Sequence, residues 1–375
     1  MSLYDSNKVL QHLDVLEAVA AGATPAPTHV RIEPTEACNF RCRFCWTQDP
    51  ERLEALRGFA DFDSTGARRF ELPRLLALID ELADAGTKAV SFVAVGDPLV
   101  YPQIERVIAR ARERQLAIGV TSNLAMKLSP ALVQELAACN WVRWSMNAGS
   151  EAAYIAVNQP RTHDQHAVYR RVQDNVTAIL EARRRLGSAM KLNASVVVSE
   201  WNVADIEGAA EFASRLGIDS VSFRPDMGHQ RQDKPSQAND RNAAALAAVQ
   251  ARFTTPGFAV HVETERQEEV VFIEKDRDVV CHYSNHSIYI AANGDVYPCC
   301  YTRSDKRYVI GNIAGQAFAE FWHSPARQAH FRTLSIASCP SCPYYDINAQ
   351  LRGLYEGQAS PQELHVPGIS PDPFV

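Results

Sequence analysis

The 375-residue chain has no window approaching the roughly 18–20 consecutive apolar residues of a membrane span. Its first 20 residues carry charges throughout and lack an apolar stretch closed by a small-residue cleavage site, so they do not read as a secretory signal. No run of Lys or Arg is long enough to track a phosphate backbone. With 38 basic against 44 acidic side chains, formal charge −6, nucleic acid is not an expected partner, because phosphate contact supplies most of such binding. There is no internal repeat, and 46% apolar with 22% charged residues excludes a disordered chain. A cytoplasmic protein without a membrane partner is expected. In that reducing compartment nine cysteines, an odd number, are expected as thiols or metal ligands and not as a paired disulfide framework.

Three of the cysteines are crowded together. Cys38, Cys42 and Cys45 have three and then two residues between them, and thiolates this close repel one another and invite oxidation unless a soft metal centre holds them. A structural zinc site is closed by four ligands, so a set of three leaves one position to be filled from elsewhere.

Around them the chain alternates short apolar strands with amphipathic helices. A strand is expected at 30–33, running directly into the cysteine loop. Leu72, Leu75, Leu76, Ile79 and Leu82 then fall at helical spacing with Gly86 at the stop, and Ile104, Val107, Ile108 and Ala111 mark the next helix. Ser129-Pro130 is a helix start, and strands are expected at 88–95, 116–120, 141–146, 191–198 and 220–224. Six strand-then-helix units imply an α/β fold with a parallel sheet curled into a partial barrel, a (β/α)6 TIM-like arrangement. The division expected is a helix and linker at 1–29, the barrel at 30–240 with a polar linker or lid over 225–240, a linker and second cysteine region at 241–355, and a Pro/Gly-containing tail at 356–375.

The second set comprises Cys281, Cys299, Cys300, Cys339 and Cys342, the last two forming a CxxC that zinc ribbons, dithiol redox sites and iron–sulfur proteins all share. Before it, Ile288-Tyr289-Ile290 leads through Asn293-Gly294-Asp295, a hairpin signal, to Tyr297-Pro298-Cys299. Cys139, at a helix end before an apolar strand, is expected as buried packing. The eleven histidines make no spacing that points to a further metal site.

The first cysteine set, with Phe44 before its third member, resembles the signature of the radical S-adenosylmethionine (radical SAM) enzymes. The resemblance implies that Cys38, Cys42 and Cys45 hold a [4Fe–4S] cluster whose remaining iron is chelated by SAM, with Phe44 packing by the adenine. It implies cofactor-facing roles for the Val95-Gly96-Asp97-Pro98 turn, for Ser122 with Asn123, and for Ser145 with Asn147. Against the family's usual Gly-Gly-Glu-Pro, the turn departs at Val95 and Asp97, and Gly, Asp, Ser and Asn also end strands for turn reasons alone. The second region resembles the shortened SPASM/twitch extension, a small hairpin plus helix, with Cys281, Cys299, Cys339 and Cys342 implied as ligands of one auxiliary [4Fe–4S] cluster and a zinc knuckle as the alternative. Cys300 is left open as a bystander, a substitute ligand or a hydrogen-atom donor.

The activity implied is reductive cleavage of SAM, fed by a one-electron donor such as flavodoxin or ferredoxin, and hydrogen abstraction by the 5′-deoxyadenosyl radical. Fewer than forty residues precede Cys38, so no fused peptide-recognition module is expected. A small natural-product intermediate (a sugar, aminocyclitol or nucleoside) is expected as substrate, undergoing dehydrogenation, epimerisation, deoxygenation or decarboxylation. The alternatives are a peptide maturase with a separate recognition protein and a zinc-stapled binding protein.

Overall fold

The computed structural model describes residues 6–45, 68–226, 238–263, 279–303, 305–336, 339, 342 and 344–375, with the backbone alone at 238–241. Most of the 225–240 stretch and Pro340, Ser341 and Pro343 of the CxxC segment lie outside the described residues.

Strands β1 (His29–Ile32), β2 (Ala89–Phe92), β3 (Ala117–Ser122), β4 (Trp141–Ser145), β5 (Lys191–Val198), β6 (Ser220–Pro225) and β7 (Ala259–Val262) are parallel neighbours in that order. On the other side of β1 stand β8 (Ser287–Ile290), parallel to it, and then β9 (Asp295–Tyr297) and β10 (Gly311–Asn312), both antiparallel to their neighbours. Helix α1 (Leu13–Ala20) precedes the sheet, and α2 (Leu72–Ala85), α3 (Ile104–Glu113), α4 (Pro130–Ala138), α5 (Glu151–Asn158), α6 (Gln165–Leu186), α7 (Ile206–Leu216) and α8 (Ala238–Phe253) connect its strands.

Local chemistry places these elements. In α2, Leu75, Leu78, Ile79 and Leu82 are buried at helical spacing, and Gly86, at φ 95°, takes the left-handed stop that glycine adopts without a Cβ penalty. Ser129 caps α4 by accepting the Leu132 N–H at 3.1 Å, and Cys139 at its end is buried in the core as expected.

The barrel is larger than the six units expected, and the reason is visible. Helix α8 is rich in Ala and β7 is four residues long, so neither carries a strong apolar period. The expected boundary at 240 falls inside α8. The hairpin extension also joins the barrel sheet directly: β8 lies in register with β1, from His29 opposite Ser287 to Ile32 opposite Ile290.

Strand alternation separates two faces. Val30, Ile32, Val90, Phe92, Ile118 and Val120 enter the apolar core with the helices. On the other face polar side chains meet across strands: His29 with Ser91, Arg31 with Ser287, Asn193 with Ser220, and Arg224 with Glu263. At the N-terminal end of the strands Trp141 packs over Gly119, where a Cβ would lie 2.1 Å from the indole, and Phe374 meets the rings of Trp141 and His29 edge-on at 5.3 and 5.4 Å. The two terminal segments share one layer, in which Val9, Leu10 and Leu16 pack with Ile347, Leu351 and Leu354 of α9 (Tyr345–Tyr355). Among the described residues no helix is long and apolar enough to cross a membrane.

His29 is buried, its Nδ1 2.8 Å from the Val375 oxygen and its Nε2 2.9 Å from Ser91 Oγ. The oxygen accepts, so Nδ1–H donates and Nε2 accepts from the serine. Burial, reinforced by the Arg31 guanidinium, holds this imidazole well below the usual histidine range. The unfolded chain therefore takes up the proton first as pH falls below about 6.5, and folding stability drops with it. Thermal unfolding followed from pH 7.5 down to pH 5 should show that loss, and His29→Gln should flatten it; an unchanged slope in the variant would assign the loss to other groups.

Candidate active site

The first cysteine set lies beyond the C-terminal end of β1, where such barrels build their sites, whereas in the second set Cys281 precedes β8 and Cys299 and Cys300 follow β9, which runs antiparallel to it. From β1 the chain passes Glu33 and enters the loop of Cys38, Cys42 and Cys45. That loop is laced to the end of α5: Arg41 N donates to Gln159 O at 3.1 Å, Arg43 N to Val157 O at 3.0 Å, and Arg161 N returns to Asn39 O at 2.9 Å. Cys45 N closes on Cys42 O at 2.9 Å, and Phe40 N points to Cys38 Sγ at 3.4 Å. Phe44 is half-buried against the core.

The turn after β2 is pinned to the same loop. Gly96 lies so near Ala37 that a Cβ would come within 2.0 Å of its carbonyl oxygen, and Asp97 N donates to that oxygen at 2.8 Å. The Asp97 carboxylate accepts from Ser122 Oγ at 2.9 Å, Asn123 N at 2.7 Å and Leu99 N at 3.0 Å. Pro98 is buried at the start of the short turn Pro98–Val100. Asn123 reaches back to Asn39 Oδ1 at 2.7 Å. Gly96, Asp97, Pro98, Ser122 and Asn123 are thus one knot joining the ends of β2 and β3 to the cysteine loop. Burial pushes Asp97 up to about 6 despite its donors.

A second knot is built from asparagines. Asn147, at φ 62°, donates to Asn158 Oδ1 at 2.8 Å and accepts from Val197 N at 3.2 Å, while Asn202 donates to its carbonyl at 2.7 Å. Asn158 also donates to Met146 O at 3.1 Å and lies 3.6 Å from Cys42 Sγ. Ser145, in register beside Ser195, joins this knot through its carbonyl, which accepts from Asn147 Nδ2 at 3.4 Å. Asn158 and Asn202 were not singled out in the sequence; each is an ordinary polar residue near a helix or turn, and only the packing reveals its role.

In the second set, Cys281 and Cys299 are buried and Cys300, Cys339 and Cys342 half-buried. Cys281 N donates to Leu334 O at 2.8 Å, Thr302 Oγ1 stands 3.8 Å from Cys299 Sγ, and Asn348 Nδ2 stands 4.0 Å from Cys342 Sγ. The hairpin before Cys299 turns at Gly294, φ 85°. Burial, then the neighbouring thiols, pushes Cys299 up to about 12; burial pushes Cys281 up to about 11 and raises Cys342 further. Cys281, Cys299 and Cys339 lie near enough to Cys342 to raise it beyond the effect of burial. Cys300 acts on Cys299 and also on Arg31, Tyr289, Arg303 and Tyr344, towards the β1/β8 seam.

The donor sets suit the groups that the resemblance implies. Burial, with Asp97 and Cys45 beside it, pushes Cys38 up to about 12, and Cys42 is raised by burial, Cys45 and Cys38. Soft thiols gathered in low dielectric are poised for a cationic centre, which deprotonates a coordinating thiol outright. Among the described residues no three His, Cys, Asp or Glu side chains converge to clasp a single metal ion.

Residues 32–213 match the Radical SAM superfamily and residues 281–343 the SPASM iron–sulfur cluster-binding domain. The chain belongs to the radical SAM superfamily, with a C-terminal SPASM domain, and is an enzyme of the type that generates a 5′-deoxyadenosyl radical. It is 21% identical over 346 residues, 85% of this chain and 88% of the relative, to the tungsten-containing aldehyde ferredoxin oxidoreductase cofactor-modifying protein of Pyrococcus furiosus. It is 25% identical over 268 residues to dTDP-4-amino-4,6-dideoxy-D-glucose ammonia-lyase of Streptomyces venezuelae, spanning 67% of this chain and only 51% of that relative. Among solved structures, Streptococcus suis SuiB bound to precursor peptide SuiA superposes with TM-score 0.60 at 16% identity, over 89% of this chain and 73% of that one. Native anSMEcpe with bound AdoMet and the Kp18Cys peptide gives 0.55 at 13% identity, over 88% and 96%. The solved structures overturn the expectation that a small molecule is a likelier partner than a peptide: SuiB is seen with precursor peptide SuiA and anSMEcpe with the Cp18Cys and Kp18Cys peptides.

Replacing Asp97 with Ala would strand three buried donors, each costing about 1–3 kcal/mol when left unsatisfied. D97A should therefore lower unfolding free energy by on the order of 3 kcal/mol in denaturant titration, and D97N by less, because one carbonyl acceptor survives. Equal stability of D97A and wild type would remove the knot from this account.

Proposed function

We propose that the protein is a peptide-modifying radical SAM enzyme, with substrate recognition supplied at least partly by a separate protein. The observation that carries this reading is the shared fold over more than four fifths of the chain with enzymes whose structures hold peptides. The barrel interior fits such a substrate: Asn193, Ser195 and Ser222 offer neutral donors and acceptors, and the Arg224–Glu263 pair offers charge, a mixture suited to backbone amides and polar side chains.

On this reading Cys38, Cys42 and Cys45 hold the cluster that SAM chelates, and Cys281, Cys299, Cys339 and Cys342 hold the auxiliary cluster. When bound, the first cluster and SAM supply a radical able to take a hydrogen atom from an unactivated carbon. This chain's own residues supply position. The Asp97 and Asn158 knots hold the cysteine loop against the strand ends, and Trp141 and Phe374 pack edge-on at the far end of the barrel. Four thiol ligands at the auxiliary site leave no position for substrate, which assigns that site to electron transfer.

Anaerobic reconstitution should yield about eight irons per chain, falling to about four in Cys38→Ser together with loss of 5′-deoxyadenosine formation from SAM and a strong reductant. A library of short synthetic peptides should raise deoxyadenosine formation above its substrate-free rate and yield a peptide of altered mass. Stimulation confined to nucleotides or nucleotide sugars would sink the peptide reading, and zinc in place of iron would sink the radical one.

A further inference from the structure

Glu33 is a carboxyl without an assigned task at a place where barrels put catalytic groups. It follows the last residue of β1, five positions before Cys38, and its backbone N–H donates to Ile290 O of β8 at 2.9 Å. Its side chain is 2% exposed. Tyr289 Oη donates to Oε2 at 2.6 Å, whereas Oε1 is buried and, among the described residues, meets no donor at full hydrogen-bond geometry, the Val95 N–H being directed at the same carboxylate. A buried acceptor left unpaired is costly, and in a native structure it marks a ligand, a water or a catalytic task.

The surroundings are those of a proton site. The Arg303 guanidinium, bonded through Nη1 to Cys300 O at 2.5 Å, stands 5.8 Å from the Tyr289 ring centroid. Glu36, on the same loop, is neutralised by Arg68, whose Nη2 lies 2.6 Å from it. The charged and titratable groups facing Glu33 are thus Tyr289 from β8, Arg303 from the segment after β9, and the Glu36–Arg68 pair, with the Val95 amide facing it from the turn after β2. Cys300 lies beyond Tyr289. The Glu33–Tyr289 contact is also where the two cysteine-bearing segments meet, one leading to Cys38 and the other to Cys299.

We propose that Glu33, oriented by Tyr289, is a proton acceptor of the barrel interior that takes a proton from an N–H or O–H of the bound substrate. The inference rests on the peptide-modifying reading for the kind of substrate. In the step an O–H bond forms at Oε1 and the substrate X–H bond breaks. The bonding pair stays on X, Glu33 becomes the neutral acid, and no oxidant or reductant takes part. Burial, opposed by Tyr289 and Arg303, pushes Glu33 up to about 8, so acid and carboxylate coexist near neutral pH, the condition under which proton transfer is most effective. Tyr289 is a positioning residue, since it acts through Glu33.

A hydrophobic carbodiimide, which adds to protonated carboxyls in apolar surroundings, tests this without cluster, SAM or substrate. It can be applied to both the reconstituted protein and the protein as isolated. Tandem mass spectrometry should place the adduct on Glu33 at pH 7, with labelling falling through a midpoint near pH 8 and roughly 100-fold lower two units above it. Tyr289→Phe removes a hydrogen bond that favours the carboxylate, so its midpoint should move to higher pH. Absence of label at Glu33 while other carboxyls react would show a sealed structural acid and overturn the proposal, as would a midpoint in the ordinary carboxylate range. Because the labelling needs no radical chemistry, its result stands apart from the deoxyadenosine measurement.

Discussion

The parallel pairing of β8 with β1 is the constraint on which both halves of the molecule depend. Their register, from His29 opposite Ser287 to Ile32 opposite Ile290, ties the strand that delivers Cys38, Cys42 and Cys45 to the strand that leads through the hairpin to Cys299. Backbone hydrogen bonds admit no half-step, and a slip of one residue would turn every side chain of the strand to the opposite face. The SPASM region is therefore part of the barrel sheet, and the separation of the two cysteine sets is set by sheet geometry.

The price of the arrangement is a polar interior. His29, Arg31, Glu33, Asn193 and Ser195 stand on the inner face of strands whose outer face is continuously apolar, whereas strands of parallel sheets ordinarily read as near-continuous apolar runs. Most of these groups find cross-strand partners, as His29 does with Ser91 and Asn193 with Ser220. Such pairing is what low dielectric demands of buried polar groups.

Around the rim the same logic recurs with short polar side chains. Asp97 gathers amides and a hydroxyl from two strand ends, and Asn158 joins the asparagine knot to the neighbourhood of Cys42. Neither is required to touch a cofactor to matter. Each holds loop backbone to strand backbone, which gives a three-cysteine loop a defined position before anything is bound to it.

The spacing of Cys38, Cys42 and Cys45, the CxxC at Cys339 and Cys342, and the strand–helix alternation were legible from residue order because each is a local pattern. Thiol chemistry depends on spacing along a short loop, and helix and strand periods repeat within a few residues. The seventh strand and α8 were not legible, since an Ala-rich helix and a four-residue strand carry little apolar contrast. Nor were the tasks of Asp97, Asn158 and Asn202, whose partners lie as far as 116 residues away in the chain, as Asn158 does from Cys42. The sequence by itself indicated the cysteines proposed as metal ligands and six of the strand–helix units of the barrel. Only the tertiary structure decided that β8 completes the sheet beside β1 and that Glu33 meets Tyr289 across 256 residues of chain. Contacts of that span are made by packing, and no periodicity records them.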